Sequence, residues 1–271
     1  MSEVRRPVVS GQFYSSNTLQ LKKEISAFVD EKVEKREIVA CLLPHAGYMY
    51  SGAVAGAVVS RFIIKDTIVI LGPNHTGYGE NFSIMTDGVW QTPLGEVGID
   101  SELAQVILKS SNHLKKDTMA HRYEHSIEVE LPFLQYFKSD FKIVPIVISF
   151  GELETYKKIG KDIASQIKKQ KKEKDIVIVA SSDMTHYEPQ RVAKDKDFKV
   201  IQAILELDED KLWDTVRRFD ISMCGVYPVI SMLSASKELG ARKAELIKYQ
   251  TSGEIIGDFS SVVGYAGVII S

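Results

Sequence analysis

Short apolar runs alternate along the chain with longer stretches of helical periodicity. The apolar runs predict strands over 38–43, 67–71, 82–85, 141–148, 175–180, 244–249 and 261–270. Helical spacing predicts helices over 52–62, 100–109, 124–137, 153–169, 193–205, 210–219 and 226–239. Strands that are apolar throughout are typical of a sheet covered on both faces. The alternation therefore predicts one α/β domain, residues 1–271, with a central sheet flanked by helices.

One of these strands contains a proline. Pro145 lies inside the run 141–148, and proline cannot donate a ladder hydrogen bond. We therefore expect that strand at an edge of the sheet or at a bulge. The pattern does not give the order of the strands.

Charge and cysteine content exclude several classes of protein. The 271 residues carry a formal net charge of −2, so there is no basic field to bind nucleic acid or an anionic membrane. Two cysteines argue against a secreted disulfide framework. The N-terminal segment lacks the apolar core of a signal peptide, and no apolar run reaches the ~20 residues that cross a bilayer. The expected location is the cytoplasm.

Three of the predicted strands end in polar clusters that contain histidine. His45 follows the first strand in LLPHAGY, Asn74 and His75 follow the second in ILGPNHTG, and Asp183 and His186 follow a third in VASSDMTH. Open α/β sheets bind ligands just beyond the carboxyl ends of their strands. If these strands are adjacent and mostly parallel, the clusters share one crevice.

The histidines in these clusters suit a metal site. Proline and glycine beside His45 and His75 fix the backbone, and imidazole binds zinc, iron, copper or nickel. His186 is a candidate for moving protons, since an imidazole can gain or lose a proton near neutral pH. Any one of these histidines alone reads more simply as a hydrogen-bonded loop residue. Their common position after a strand favours a shared site.

The start of the predicted helix 124–137 is a second candidate feature. His125 and Glu128 are three residues apart and would share a helix face. Glu124 and His125 are therefore candidates for contacting substrate or supporting the site, although acidic residues are also favoured at a helix N-terminus. His113 and His121 have no supporting pattern, and we expect them at the surface.

The two cysteines differ in their surroundings. Cys224 immediately precedes Gly225 and a predicted helix, where a thiolate is stabilised, so it is a candidate metal ligand or nucleophile. A buried apolar cysteine is an equally weighted interpretation. Cys41 lies inside an apolar strand and is expected in the core.

Five segments of the sequence resemble the signature blocks of the Memo family. In order, they are PHAGYMYSG, LGPNHTG, YEHSIEVELPF, SSDMTHY and MCGVYP. In eukaryotes that family is linked to cell motility driven by receptor tyrosine kinases. In microbes it is protein B of the AmmeMemoRadiSam set, beside a radical-SAM protein and an AMMECR-type protein. The resemblance therefore implies these two proteins as partners.

The Memo family is similar in fold to class III non-haem iron extradiol dioxygenases of the LigB type. The resemblance implies a three-layer α/β/α architecture with a mostly parallel or mixed sheet. It also implies His45, His75 and Cys224 as metal ligands, His186 as the acid/base histidine, and Asp183 as the residue that orients it. The dioxygenases have a carboxylate where this chain has Cys224. A thiolate shifts affinity towards copper as well as iron, so redox chemistry is expected rather than cleavage of a catechol ring.

Three functions are compatible with these residues. The first is a redox protein with one iron or copper ion. The second is a non-enzymatic module that binds a small molecule, peptide or protein surface in the same cleft, which is rich in tyrosine. The third is a zinc hydrolase built on His45, His75 and Asp183. Tyr48 and Asn74 are the further residues expected to contact a ligand.

Overall fold

A mixed sheet runs through the middle of the molecule in the computed structural model. The structure describes residues 3–271, and residues 1–2 of the predicted domain lie outside the described part. The strands of the described part are β1 Val4–Arg5, β2 Ala40–Leu43, β3 Thr67–Pro73, β4 Phe82–Ile84, β5 Val89–Thr92, β6 Gly95–Ile99, β7 Lys115–Lys116, β8 Lys142–Ile148, β9 Ile176–Ser181, β10 His186–Glu188, β11 Ala244–Thr251 and β12 Val262–Ile270.

The helices are α1 Thr18–Ser26, α2 Tyr48–Val59, α3 Ser101–Ser110, α4 Met119–Arg122, α5 Leu131–Phe137, α6 Leu153–Lys169, α7 Gln190–Leu205, α8 Glu209–Arg218, α9 Val226–Glu238 and α10 Gly253–Ile256. Within residues 3–271, none of them is both long enough and apolar enough to cross a membrane.

The centre of the sheet is parallel. The strand order is β1-β5-β6-β8-β3-β9-β2-β12-β10, and β8, β3, β9 and β2 pair in parallel. The C-terminal strand β12 then pairs antiparallel with β2, β10 and β11. The residues of β2, β3 and β9 are all buried, as their unbroken apolar runs require.

Helices cover this sheet on its faces. Helix α2 packs on β2, β11 and β12 and contacts α5, whereas α9 packs on β9 and β3 and contacts α6 and α8. The expected α/β class with a mixed, mostly parallel sheet between helices is confirmed.

The strand that contains Pro145 is neither an edge strand nor bulged at the proline. β8 pairs with β3 on one side and with β6 and β4 on the other. The carbonyl of Pro145 accepts from the amide of Met85, the residue that follows β4. Because the nitrogen and the carbonyl of one strand residue point to the same side, the Pro145 nitrogen also faces the β6 and β4 side. There β6 pairs with 142–143 and β4 with 146–148, which leaves Pro145 between the two partners. The missing N–H therefore interrupts no ladder, and the expectation of an edge or a bulge is wrong.

The predicted helix 124–137 is regular only in its second half. Residues 124–127 are irregular, Glu128–Glu130 form a 3₁₀ turn, and α5 begins at Leu131. The Glu124 carboxylate accepts the amides of His125 and Ser126, and this local turn replaces the first helical turn. His125 and Glu128 therefore do not share a helix face, and the irregular segment is free to reach the end of the sheet.

Candidate metal centre

The loops after β2, β3 and β9 meet at one end of the sheet. His45 lies two residues beyond β2, His75 two residues beyond β3, and Asp183 two residues beyond β9. Because the three strands are parallel neighbours, their carboxyl ends open on the same side. The irregular segment 124–127 brings His125 to the same place. The convergence that the sequence predicted for the strand ends is confirmed.

Three imidazoles form the centre of this cluster. Candidate ligand atoms of His45, His75 and His125 all lie within 4.8 Å of one another. The ring of His75 stacks on that of His125, with centroids 4.7 Å apart, and lies 5.0 Å from the ring of His45. A group of this size and ligand type can hold a metal ion.

The presence of His125 in the cluster was not predicted from sequence. The pattern suggested that His125 contacts substrate or supports the site, because a helix starting at 124 would have placed His125 and Glu128 on one face. A signal for its position is the neighbouring Glu124. The Glu124 carboxylate hydrogen-bonds to His75 Nδ1 and accepts the backbone amide of His125, which brings the two histidines together.

Two of the imidazoles are held through Nδ1. His45 Nδ1 lies 2.7 Å from Ser181 Oγ, and His75 Nδ1 lies 2.9 Å from Glu124 Oε1. Nδ1 partners of this kind fix the tautomer and ring orientation of metal-binding histidines. The Nε2 atoms of both rings are thereby left for the centre.

Burial and the Glu124 carboxylate set the charge of the site. Burial lowers the pKa of His45 well below its usual value, with the nearby histidines acting in the same direction. Burial opposes charge on Glu124 as well, yet its hydrogen bond and charge interaction with His75 lower the Glu124 pKa to about 2. The same contact raises the pKa of His75 against the effect of burial. Glu124 is therefore an ionised carboxylate behind His75.

Cys224 lies beside His45, immediately before α9. Its Sγ is 3.3 Å from His45 Nε2 and accepts the Asp183 amide at 3.2 Å. Burial raises the pKa of the thiol, followed by the charge of Asp183, so the helix N-terminus does not make Cys224 a thiolate in the metal-free chain. The sulfur is nevertheless placed against one of the cluster's nitrogen atoms. Cys41 is fully buried in β2, as expected.

His186 faces the same cleft from β10. Its backbone amide donates to Ser222 Oγ at 2.8 Å, and its Nδ1 donates to the Ser222 carbonyl at 2.9 Å. A carbonyl only accepts, so Nδ1 carries a proton and the neutral ring has its lone pair on Nε2. Ser222, rather than Asp183, fixes the orientation of this ring.

Asp183 supports the backbone of the cluster. Its side chain is buried, and Oδ1 accepts the amide of His45 at 2.9 Å. Burial raises the pKa of Asp183 to about 6, although His186 and the amide of His45 act in the opposite direction. The carboxyl at the wall of the cleft therefore keeps its proton to a higher pH than an ordinary aspartate does.

The histidine cluster opens into a cavity of about 460 Å³. Besides His45, His75 and His125, its lining includes Asp183, His186 and the aromatic side chains of Phe13, Tyr50, Tyr187 and Tyr265. Tyr187 has a left-handed backbone, φ +60°, and its side chain is exposed at the rim. A second cavity of about 290 Å³ reaches His75 and Cys224 from another side and includes Asn74 and Phe150.

The residues predicted to contact a ligand are placed differently. Tyr48 is fully buried, and its hydroxyl donates to the Val129 carbonyl, so the expectation that it contacts a ligand is wrong. The Asn74 side chain holds its own turn by donating to the Tyr78 carbonyl and accepting from the Gly77 amide. It lines the second cavity, and its ligand role stays a prediction.

The position of His121 also differs from the one that its sequence predicted. It is fully buried beside Trp90 and contacts Ser83 through Nε2, whereas a surface position was expected. Its short helix α4 is too brief to show a buried face in the sequence.

Comparison with known proteins gives the same assignment along nearly the whole chain. The sequence matches the family described as Memo-like protein over residues 5–269. A MEMO1 family protein of Methanosarcina barkeri is 45% identical over 269 residues, which cover 98% of this chain and 100% of that protein. A relative in Aquifex aeolicus is 43% identical over 268 residues, covering 98% of both chains.

A solved structure shares the fold. An uncharacterized protein from Escherichia coli gives a TM-score of 0.56 at 13% identity, over 87% of this chain and 100% of that chain. That likeness concerns the fold alone, whereas the family match and the relatives concern the sequence. On these grounds the chain belongs to the Memo-like protein family.

Proposed function

We propose that this chain is a metal-dependent redox protein that holds one iron or copper ion with His45, His75 and Cys224. One observation carries the proposal: the Cys224 thiol lies 3.3 Å from His45 Nε2, beside the three histidines whose candidate ligand atoms all lie within 4.8 Å of one another. Imidazole and thiolate together suit iron and copper. Glu124 and Ser181 behind the rings supply the outer hydrogen bonds that such a site needs.

The metal, when bound, supplies one-electron chemistry, and the protein groups hold it and handle protons. Since burial keeps Cys224 protonated, ligation by its sulfur would release that proton. His186 lines the cavity, and in this proposal the Nε2 lone pair of its neutral ring takes a proton from the bound substrate. The aromatic side chains of Phe13 and Tyr265 line the same cavity beside His186.

Metal analysis of protein purified without oxygen tests the proposal. We expect about one iron or copper ion per chain, lost in His45→Ala because that ring contacts both the sulfur and the other imidazoles. The matched control is His113→Ala, since His113 is a half-buried histidine outside the cluster. Wild-type protein that takes up neither metal, even after anaerobic loading, would contradict the proposal.

The third ligand is decided by a second pair of variants. Cys224→Ser and His125→Ala remove the two candidates beside His45 and His75. We expect Cys224→Ser to weaken iron or copper binding more and to remove any sulfur-to-metal absorption band. If His125→Ala alone abolishes binding, the ligands are three histidines.

A three-histidine site would favour the zinc hydrolase as second candidate, because His₃ sets with an open position are used by hydrolytic zinc. Cobalt substitution distinguishes the hydrolytic zinc site from the redox site. A cobalt spectrum unaffected by Cys224→Ser, together with zinc in the purified protein, would favour hydrolysis.

The remaining expectations are proposals of the same kind. The cavity beside His186 takes a small molecule or peptide, and the radical-SAM and AMMECR-type proteins are the partners to test by co-purification. Retention of a partner by His45→Ala protein that has lost its metal would favour the non-enzymatic binding module. We also propose that residues 1–271 form one domain and act in the cytoplasm.

A further inference from the structure

We infer that Glu130 is a neutral carboxylic acid in the folded protein and that it acts with Ser181 to hold His45 as the Nδ1–H tautomer. Glu130 and Ser181 are then positioning residues of the centre. The tautomer belongs to the metal-free chain, and only its consequence for metal binding rests on the proposed function.

Ser181 Oγ has three close polar neighbours. It lies 2.7 Å from His45 Nδ1, 2.8 Å from the Ser126 carbonyl and 2.7 Å from Glu130 Oε1. Ser181 itself is fully buried at the end of β9. Each of these distances is that of a hydrogen bond.

The proton count at Ser181 decides the direction of each bond. A hydroxyl donates once and accepts at two lone pairs. The Ser126 carbonyl can only accept, so it takes the hydroxyl proton. The other two bonds are formed only if His45 Nδ1 and Glu130 Oε1 both donate to Ser181. All three contacts are satisfied together when Glu130 is protonated and His45 carries its proton on Nδ1.

The surroundings of Glu130 support the neutral form. Glu130 is fully buried, and within residues 3–271 its Oε2 has no hydrogen-bond partner. A buried carboxylate in that position would leave charge without compensation, which is costly in a protein interior. Burial raises the Glu130 pKa well above its ordinary value, Ser181 acts against this, and the charge of Asp183 adds to it.

The tautomer of His45 determines which of its ring nitrogens can bind at the centre. With its proton on Nδ1, His45 has its lone pair on Nε2, the atom 3.3 Å from Cys224 Sγ. The ring is thus prepared to accept from the thiol or to bind a cation without rearranging its protons.

Infrared and NMR spectra of the metal-free full-length chain test the inference. The carbonyl stretch of a protonated buried carboxylic acid should be present in wild type and absent in Glu130→Gln. Nitrogen-15 shifts should show His45 as the Nδ1–H tautomer in both, because the Gln amide also donates to Ser181. Ser181→Ala should shift His45 towards a mixture of tautomers. Ser231→Ala, which removes a buried hydroxyl bonded to the Tyr156 carbonyl, should leave the spectra unchanged.

Metal binding gives a separate readout. If the centre binds metal, Ser181→Ala should raise the dissociation constant about 10–100-fold, the usual effect of removing a ligand's outer partner, and Ser231→Ala should not. Absence of the carboxylic-acid band, or His45 as the Nε2–H tautomer in wild type, would overturn the inference. An unchanged tautomer in folded Ser181→Ala would remove Ser181 from its role. Failure to bind any metal would instead contradict the proposed function.

Discussion

Opposite charge states coexist among the carboxyl groups of one short segment. Glu124 is ionised because the His75 ring and three backbone amides donate to it, while Glu130 is fully buried and, within residues 3–271, has Ser181 as its one hydrogen-bond partner. Desolvation acts on both, and the number of donors decides between them. The acidic pattern in YEHSIEVELPF does not show which residue has which environment.

His121 is expected to make the protein less stable in acid. Burial lowers its pKa from 6.5 to about 4. Between pH 6.5 and pH 4, His121 is therefore protonated in the unfolded chain and neutral in the folded chain. Above pH 6.5 the residue does not reduce the free energy of unfolding. As the pH drops from 6.5 towards 4, the free energy of unfolding falls by ~1.4 kcal/mol per pH unit, and by about 3 kcal/mol at most.

Urea unfolding at several pH values measures this contribution. The fall in free energy of unfolding should be shallower in His121→Gln than in wild type over that pH range. His113→Gln serves as the control. Parallel wild-type and His121→Gln curves would show that His121 is not buried neutral.

At the scale of elements, the regular part of the site followed from the sequence and the irregular part did not. His45 and His75 could be predicted because an apolar strand that ends abruptly fixes where the next side chains lie. His125 could not, because its position depends on a local turn formed by the Glu124 side chain. Long-range contacts such as Tyr48 to Val129 likewise leave no periodic signal.

Gly225, the residue between Cys224 and α9, approaches its neighbours closely and thereby places Cys224 at the centre. A Cβ on Gly225 would lie 2.3 Å from the Ser181 carbonyl oxygen and 2.5 Å from Ser182 Cβ. Gly225→Ala should therefore lower the free energy of unfolding by about 1–3 kcal/mol and move Cys224 away from His45.

Chemical denaturation and the rate of Cys224 alkylation in the native protein measure both effects. Gly98→Ala is the matched control, since a Cβ there meets nothing within 4 Å, and its effect should stay within about 0.5 kcal/mol. Equal stability of the two variants would argue against tight packing at α9.

At the scale of the whole molecule, the N-terminal segment is tied to the site by a buried ion pair. Arg5 pairs with Glu128, whose carboxylate also accepts from Tyr14 and the Val8 amide. The same segment supplies Phe13, which lies edge-on to His125 at the cavity wall. The first strand is thereby connected to a wall of the cleft.

Breaking this pair should be costly. Arg5→Ala leaves Glu128 buried without its cation, and we expect a loss of about 3–5 kcal/mol in the free energy of unfolding. Arg6→Ala, at the exposed neighbouring position, should change it by about 0.5 kcal/mol or less. Denaturant titration compares the two, and similar midpoints would mean that the pair contributes little.

The position of β12 has a consequence for synthesis. β2, which leads into His45, is paired by β9 on one side and by residues 268–270 on the other. A nascent chain shorter than this leaves β2 with an open edge, a form prone to pairing with other chains. The loop that carries His45 then follows a strand paired on one side only while the ribosome is still elongating the polypeptide, and an exposed strand edge in that interval favours aggregation.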